Sequence, residues 1–156
     1  MKPSTAALIG LIALACDPVH DEAVAALPGE APGVPRGPTH RPGQPCLLCH
    51  AGQFSVAGTV FVDANDLAPA VGADVKLTDS QSHTFDATTN EAGNFFVRTG
   101  EFSPVYPMKV AVAYGGVTVK MTADVGRDGA CASCHFDPPG PASPGHVYVP
   151  PDGVTP

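Results

Sequence analysis

Short bursts of alternating apolar and polar residues, beginning near Phe54 and recurring up to Thr122, give this chain its strongest pattern. Phe54, Val56, Val60 and Val62 share one parity while Ser55, Ala57 and Thr59 take the other, a period of two that predicts a half-buried strand. Val75 and Leu77 then alternate with Asp74, Lys76 and Thr78. The turn-forming run Asp79-Ser80-Gln81-Ser82 leads into a strand over residues 83–89, and Asn90-Glu91-Ala92-Gly93 reverses the chain before a further strand over Asn94–Arg98. Residues 105–114 and 117–122 are expected to face each other across Gly115-Gly116, whose freedom at positive φ suits a two-residue hairpin loop. Val110, Val112 and Tyr114 share a face there, as do Val117, Val119 and Met121, which puts Met121 in the expected core. His146-Val147-Tyr148-Val149 is a candidate terminal edge strand. With no helix expected beyond residue 15, the pattern predicts an all-β protein, a small antiparallel β-sandwich of six to seven strands.

The flanks are patterned differently. Lys2 supplies a positive charge, residues 6–15 form a short apolar run, and Ala13-Leu14-Ala15 stands immediately before Cys16. This order of charge, apolar run and small residues has the form of an export signal, and the run is too short to remain as a spanning helix. Residues 1–15 are therefore expected to be a signal peptide. Either an ordinary peptidase cuts after the Ala-x-Ala triplet, or Cys16 becomes the lipidated first residue of the mature chain. An ordinary cut would leave an unpaired thiol at the terminus of an exported protein, which favours lipidation of Cys16 and a membrane anchor. Both routes lead out of the cytoplasm, to the periplasm or the outer surface. Residues 16–44 carry Pro, Gly, Ala and scattered charge with no apolar period, and predict an extended, mobile tether. The folded domain is expected over 45–150, with 151–156 as a tail.

Composition narrows the possibilities. The chain has 156 residues, room for one domain, and its 18 prolines and 17 glycines exclude a helical bundle. At this length the core must be small, and there is no tryptophan to fill it. Eight Lys and Arg against fifteen Asp and Glu give a net charge of −7, which works against binding nucleic acid or an anionic membrane surface. No Ser/His/Asp set, carboxylate pair or phosphate loop can be assembled, so no enzymatic activity is expected.

The chemistry lies in a repeat. Cys46-Leu47-Leu48-Cys49-His50 returns near the other end as Cys131-Ala132-Ser133-Cys134-His135. Cys-x-x-Cys-His is the attachment signature of c-type haem: two intervening residues let both thiols reach the two vinyl groups of one porphyrin, and the following imidazole comes under the iron. Cys46 and Cys49 are thus candidates to hold one covalent haem c, with His50 as axial iron ligand, and Cys131 and Cys134 to hold a second, with His135. Attachment of this kind requires an extracytoplasmic setting, in keeping with the export signal. His40, shortly before the first motif, and His146, shortly after the second, are candidate distal ligands. His83 at a hairpin edge reads as solvated, and His20, Met108 and Met121 complete the set of possible iron ligands. Loop-borne motifs beside a sandwich imply shallow pockets with exposed haem edges. An odd number of strands would set the motifs at opposite poles; an even number, or a tail folded back, would bring them together.

Three alternatives remain open from the cysteines. The two pairs could converge on one structural zinc site, Cys₄ or with one of the following histidines as a ligand, which otherwise leaves both histidines without a role. They could form two disulfides or a dithiol redox site, although no thioredoxin-like βαβ pattern surrounds them. They could also merely staple a sandwich that binds glycan or protein.

The stretch from about Ser55 to Thr122 resembles the carboxypeptidase regulatory-like, or transthyretin-like, β-sandwich family. The residues that carry the likeness are Val56-Ala57-Gly58-Thr59-Val60, Pro69-Ala70-Val71-Gly72-Ala73-Asp74-Val75 and Thr88-Thr89-Asn90-Glu91-Ala92-Gly93-Asn94-Phe95. The resemblance implies an accessory or binding module without catalytic residues. The whole arrangement, with a motif on either side of the sandwich and a closing Pro144-Gly145-His146-Val147-Tyr148 segment, is similar to small exported cytochromes of metal-respiring bacteria. That similarity implies electron transfer with other redox proteins of the cell envelope.

Overall fold

A computed structural model of the chain describes residues 18–30 and 32–150. The expected signal peptide, Cys16 and the 151–156 tail lie outside the described residues. Among the described residues seven strands form two sheets: β1 (Phe54–Thr59), β2 (Asp74–Thr78), β3 (Thr84–Thr88), β4 (Asn94–Arg98), β5 (Lys109–Tyr114), β6 (Val117–Lys120) and β7 (Gly129–Ala130). One sheet has the order β4-β1-β7 and the other β3-β2-β5-β6, a small all-β sandwich. All pairings are antiparallel except β1 with β7, which run parallel with Val56 opposite Gly129 and Ala57 opposite Ala130.

Between the sheets lies a core of modest side chains. Val56, Phe95 and Val97 of one sheet meet Val75, Leu77, Ala87 and Val112 of the other, closed by Val60, Met108 and Val149. Leu77 and Met108 head the fully enclosed side chains, as expected of a chain without tryptophan. The expected strand over 105–114 starts only at Lys109, past Pro107, which has no N–H for a ladder. Met121 is a correction: it lies beyond β6 and is exposed. β6 is the edge of a four-stranded sheet that faces only three strands, so its apolar face is half covered.

The turns follow their sequence signals. Tyr114 pairs with Val117 across Gly115 and Gly116, at φ 58° and 85°. Asp79 Oδ1 accepts from the N–H groups of Gln81 and His83, both at 2.9 Å, and Asn90 Oδ1 accepts from Ala92 and Asn94 at 2.9 and 3.1 Å. His83, exposed as expected, lies 3.2 Å from Asp79 Oδ2. The expected terminal strand is reduced to one bridge, in which Phe61 N donates to Val147 O and Val149 N to Phe61 O.

Three expectations are corrected by what covers β1. Helices do follow residue 15: α1 (Pro18–Ala25) and α2 (Cys46–His50). Proline at the first position and Asp21 in the first turn are the local reasons for α1. β1 is not half-buried; Val56 through Val60 are buried on both parities, Ala57 at 1% and Thr59 at 5% exposure. The stretch expected to be a mobile tether supplies part of that cover. Gly43 N donates to Thr59 Oγ1 at 2.8 Å, Asn94 Nδ2 donates to the carbonyls of Pro38 and His40 at 3.2 and 3.0 Å, and Asn90 Nδ2 donates to Pro38 at 2.6 Å. The side chain of Arg41, a residue at φ 51°, reaches Glu30 at 2.9 Å, Pro28 O at 2.7 Å and Gln44 Oε1 at 3.0 Å. Among the described residues no helix is long and apolar enough to cross a membrane.

Candidate functional site

The two pentapeptides sit together on the three-stranded sheet although seven strands separate them, so the expectation that an odd count sets them at opposite poles fails. The cause is the parallel pairing of β7 with β1. The chain passes Gly43 beside Thr59 at the far end of β1, runs back along the strand as α2, and turns at residues 50–53 to enter β1. Near its other end it returns as β7 on the free edge of β1 and runs straight into the second motif. α2 packs against both β1 and β7.

In the first motif, helical spacing puts Cys46, Cys49 and His50 at i, i+3 and i+4, one face of α2. Leu47, Leu48 and Ala51 take the other face and wall an apolar cleft of about 580 Å³, closed by Phe54, Tyr106 and Ala130. The cleft lies in the size range of ligand sites, but it is on the far side of the helix from the cysteine and histidine stripe. It is therefore not where a group held by Cys46 and Cys49 would sit. The His50 ring contacts Phe54 at 5.4 Å and His40 at 6.0 Å between centroids, and its buried Nδ1 has no hydrogen-bond partner.

In the second motif a 3₁₀ turn over Cys131–Ser133 does the same work in less space. Cys134 N and His135 N both donate to Cys131 O, at 3.2 and 2.9 Å, so the two cysteines and the histidine close one turn. His135 Nδ1 lies 3.0 Å from Gly145 O. Donation to that carbonyl fixes the tautomer, leaving Nε2 with a lone pair for a metal. Gly145 was not singled out in the sequence as part of a site, and its signal was weak: a buried glycine at φ 87° in a Pro/Gly loop.

All four cysteines of the motifs are free thiols, Cys49 and Cys134 exposed, Cys46 and Cys131 half-buried. The Cys131 side chain is wedged against β1: a methyl group on Gly58 would come within 2.7 Å of its Cβ and 3.0 Å of its Sγ. A glycine inside a strand pattern is the sequence mark of such close approach. Burial pushes the Cys131 thiol up to about 12, with the neighbouring Cys46 adding to the rise, and burial also raises Cys46. Cys46 and Cys131 are thus held in surroundings that favour the protonated thiol. Among the described residues no three His, Cys, Asp or Glu side chains converge to hold a metal ion by themselves, as the Cys₄ alternative would need. Iron in a porphyrin asks only one or two ligands of the protein.

The remaining candidate ligands are scattered. His40 lies beside His50. His146 follows the orienting Gly145, but its own ring packs on Phe61 at 5.0 Å between centroids, and its Nε2 is 3.1 Å from Asp137 Oδ2. His20 belongs to α1, which packs against α2. His83 is on the β2–β3 hairpin, Met108 is enclosed in the core, and Met121 is beyond β6. Comparison with protein-family models, with curated proteins and with solved structures finds no match to this chain.

Proposed function

We propose that this protein is a diheme c-type cytochrome that carries electrons between redox proteins of the bacterial envelope. The observation that carries the reading is the convergence of two Cys-x-x-Cys-His turns on one sheet, each with its cysteines and histidine grouped by a single turn. In attachment, each thiol adds across a vinyl double bond and its proton passes to the neighbouring vinyl carbon, so no oxidant is needed. The chain's own part is to group each motif's two sulfurs and imidazole in one turn and to hold the two imidazoles in place. His135 is oriented through Gly145 O, and His50 is wedged between Phe54 and His40. Bound there, the haems would supply one-electron chemistry, and their neighbouring attachment points favour a coupled pair over two independent centres. The export signal and Cys16 support delivery to the periplasm or outer surface with a lipid anchor. No bond-making activity is part of the proposal.

The test is expression of the full chain in a host competent to attach haem. A reduced α-band whose haem resists acid-acetone extraction is expected, and Cys49→Ala should retain one covalently held haem where the parent retains two. A colourless protein with one zinc per chain would replace this reading with the zinc-stapled module, and a colourless protein without metal would leave disulfides or a binding sandwich.

A further inference from the structure

We infer that His40 is the sixth ligand of the iron whose fifth is His50, so that the first haem is closed by two imidazoles; this rests on the haem reading above and adds the distal residue. The residues fit. Two imidazoles on opposite sides of one metal have ring centres about 6.4 Å apart, given metal–nitrogen bonds of about 2.0–2.1 Å. The centroids of His40 and His50 are 6.0 Å apart, with ring planes inclined at 47°. His40 Nδ1 is engaged by the backbone of Gly37, lying 3.1 Å from its N and in close contact with its O. In the tautomer whose Nδ1–H donates to the Gly37 carbonyl, Nε2 carries the lone pair available for coordination. His50 Nδ1, buried without a partner, is the orphaned polar atom on the same pair.

The loop that carries His40 is also built for position. A tether would need no fixed place, yet this segment is held by polar groups from three directions, two of them on the sheet. Asn94 Nδ2 holds the carbonyl of His40 itself at 3.0 Å and that of Pro38 at 3.2 Å. Thr59 Oγ1 accepts from Gly43 N at 2.8 Å and donates to Asn94 Oδ1 at 2.7 Å, joining both anchors in one buried network. Arg41 ties the next residue to Glu30 and Gln44. All these bonds converge on the four residues either side of His40, and none of them uses its Nε2. His146 has no comparable arrangement, because its Nε2 is paired with Asp137. The two haems therefore differ: bis-imidazole ligation draws the first toward low potential.

The test uses the full chain with its haems attached, and compares the parent with His40→Ala, His40→Met, His20→Ala and His146→Ala. Covalent haem content is measured first, then low-temperature electron paramagnetic resonance, the near-infrared ligand-to-metal bands and carbon monoxide uptake of the reduced protein. His40→Ala is expected to keep both haems, lose one low-spin bis-imidazole signal and take up one more carbon monoxide per chain than the parent. His40→Met, which keeps a ligand in place, is expected to restore a low-spin centre with a sulfur-to-iron band and a raised potential. Two haems with an unchanged low-spin signal in both His40 variants would overturn the inference while leaving the cytochrome standing. Loss of the signal in His20→Ala or His146→Ala instead would assign the ligand elsewhere and overturn it too. A parent with no covalent haem would remove the reading beneath it.

Discussion

The two pentapeptides share three of their five residues and almost nothing of their surroundings. The first is helical, lies over the sheet, and is hemmed in by α1, Phe54 and the anchored His40 loop. The second is a tight turn at a sheet edge, with its leading cysteine driven against Gly58 and its histidine steered by a carbonyl ten residues on. The short motif dictates which groups stand together; tertiary neighbours decide how the imidazole is oriented and what stands opposite it. One fold in this way gives two motifs of the same pattern different surroundings for their histidines.

The sharpest way to break that comparison is at Gly58. Gly58→Val would drive a branched side chain into Cys131, whose Cβ already lies 2.7 Å from where a Cβ would fall. Loss of the second haem with retention of the first is expected, read as haem per chain, together with an overpacking cost of about 1–3 kcal/mol in the thermal or denaturant midpoint. Retention of both haems would mean that the contact does not position the second motif.

A pH effect is confined to the haem-free protein. The Cys131 thiol is raised from 9.0 to about 12, so the folded state keeps a proton that the unfolded state gives up. Stability from this group is complete below about pH 9 and falls as pH climbs toward 12, by at most about 4 kcal/mol at about 1.36 kcal/mol per pH unit. Denaturant titration of the apo-protein should record that decline, and Cys131→Ala should flatten it. Conversion to a thioether should flatten it as well, because the sulfur no longer titrates.

A smaller effect separates the sites from the other side. Asn94→Leu removes the amide that joins Thr59 to the carbonyls of Pro38 and His40. Leaving buried partners unsatisfied costs about 1–3 kcal/mol. The disturbance should reach the spectrum of the first haem and spare the second. The smallest effect lies at the hairpin far from both. Burial would raise the Asp79 carboxyl, but hydrogen bonds from the backbone N–H groups of His83, Val105 and Gln81 and from the His83 ring hold it below the usual carboxylate range. Its contribution is present above the ordinary Asp pKa near 3.8 and is lost as pH falls through the depressed folded value. His83→Ala removes only one exposed partner and should shift the acid midpoint slightly, with no change at either haem.

The sandwich was legible because its strands carry local instructions. Val75 and Leu77 alternate cleanly, Asp79 and Asn90 announce their turns, and Gly115-Gly116 marks the hairpin. β1 misled because its second face is buried by the segment that precedes it, residues 38–53 with α2, folding back over the strand, which alternation cannot register. β7 is two residues long and pairs parallel, too short to leave a periodic trace, yet it brings the motifs together. The chemistry of the candidate site was legible in its cysteines and histidines. Its supports, Gly58, Asn94, Thr59 and Gly145, were not, since each acts through a contact across 10 to 73 residues or through one backbone carbonyl.

The central claim, that two porphyrins are held side by side by four sulfur bridges, is tested most directly by intact mass spectrometry of the protein purified from a haem-attaching host. The account expects the mature chain plus two haems that survive denaturation. A chain of unmodified mass, from cells that load a control cytochrome fully, would contradict it.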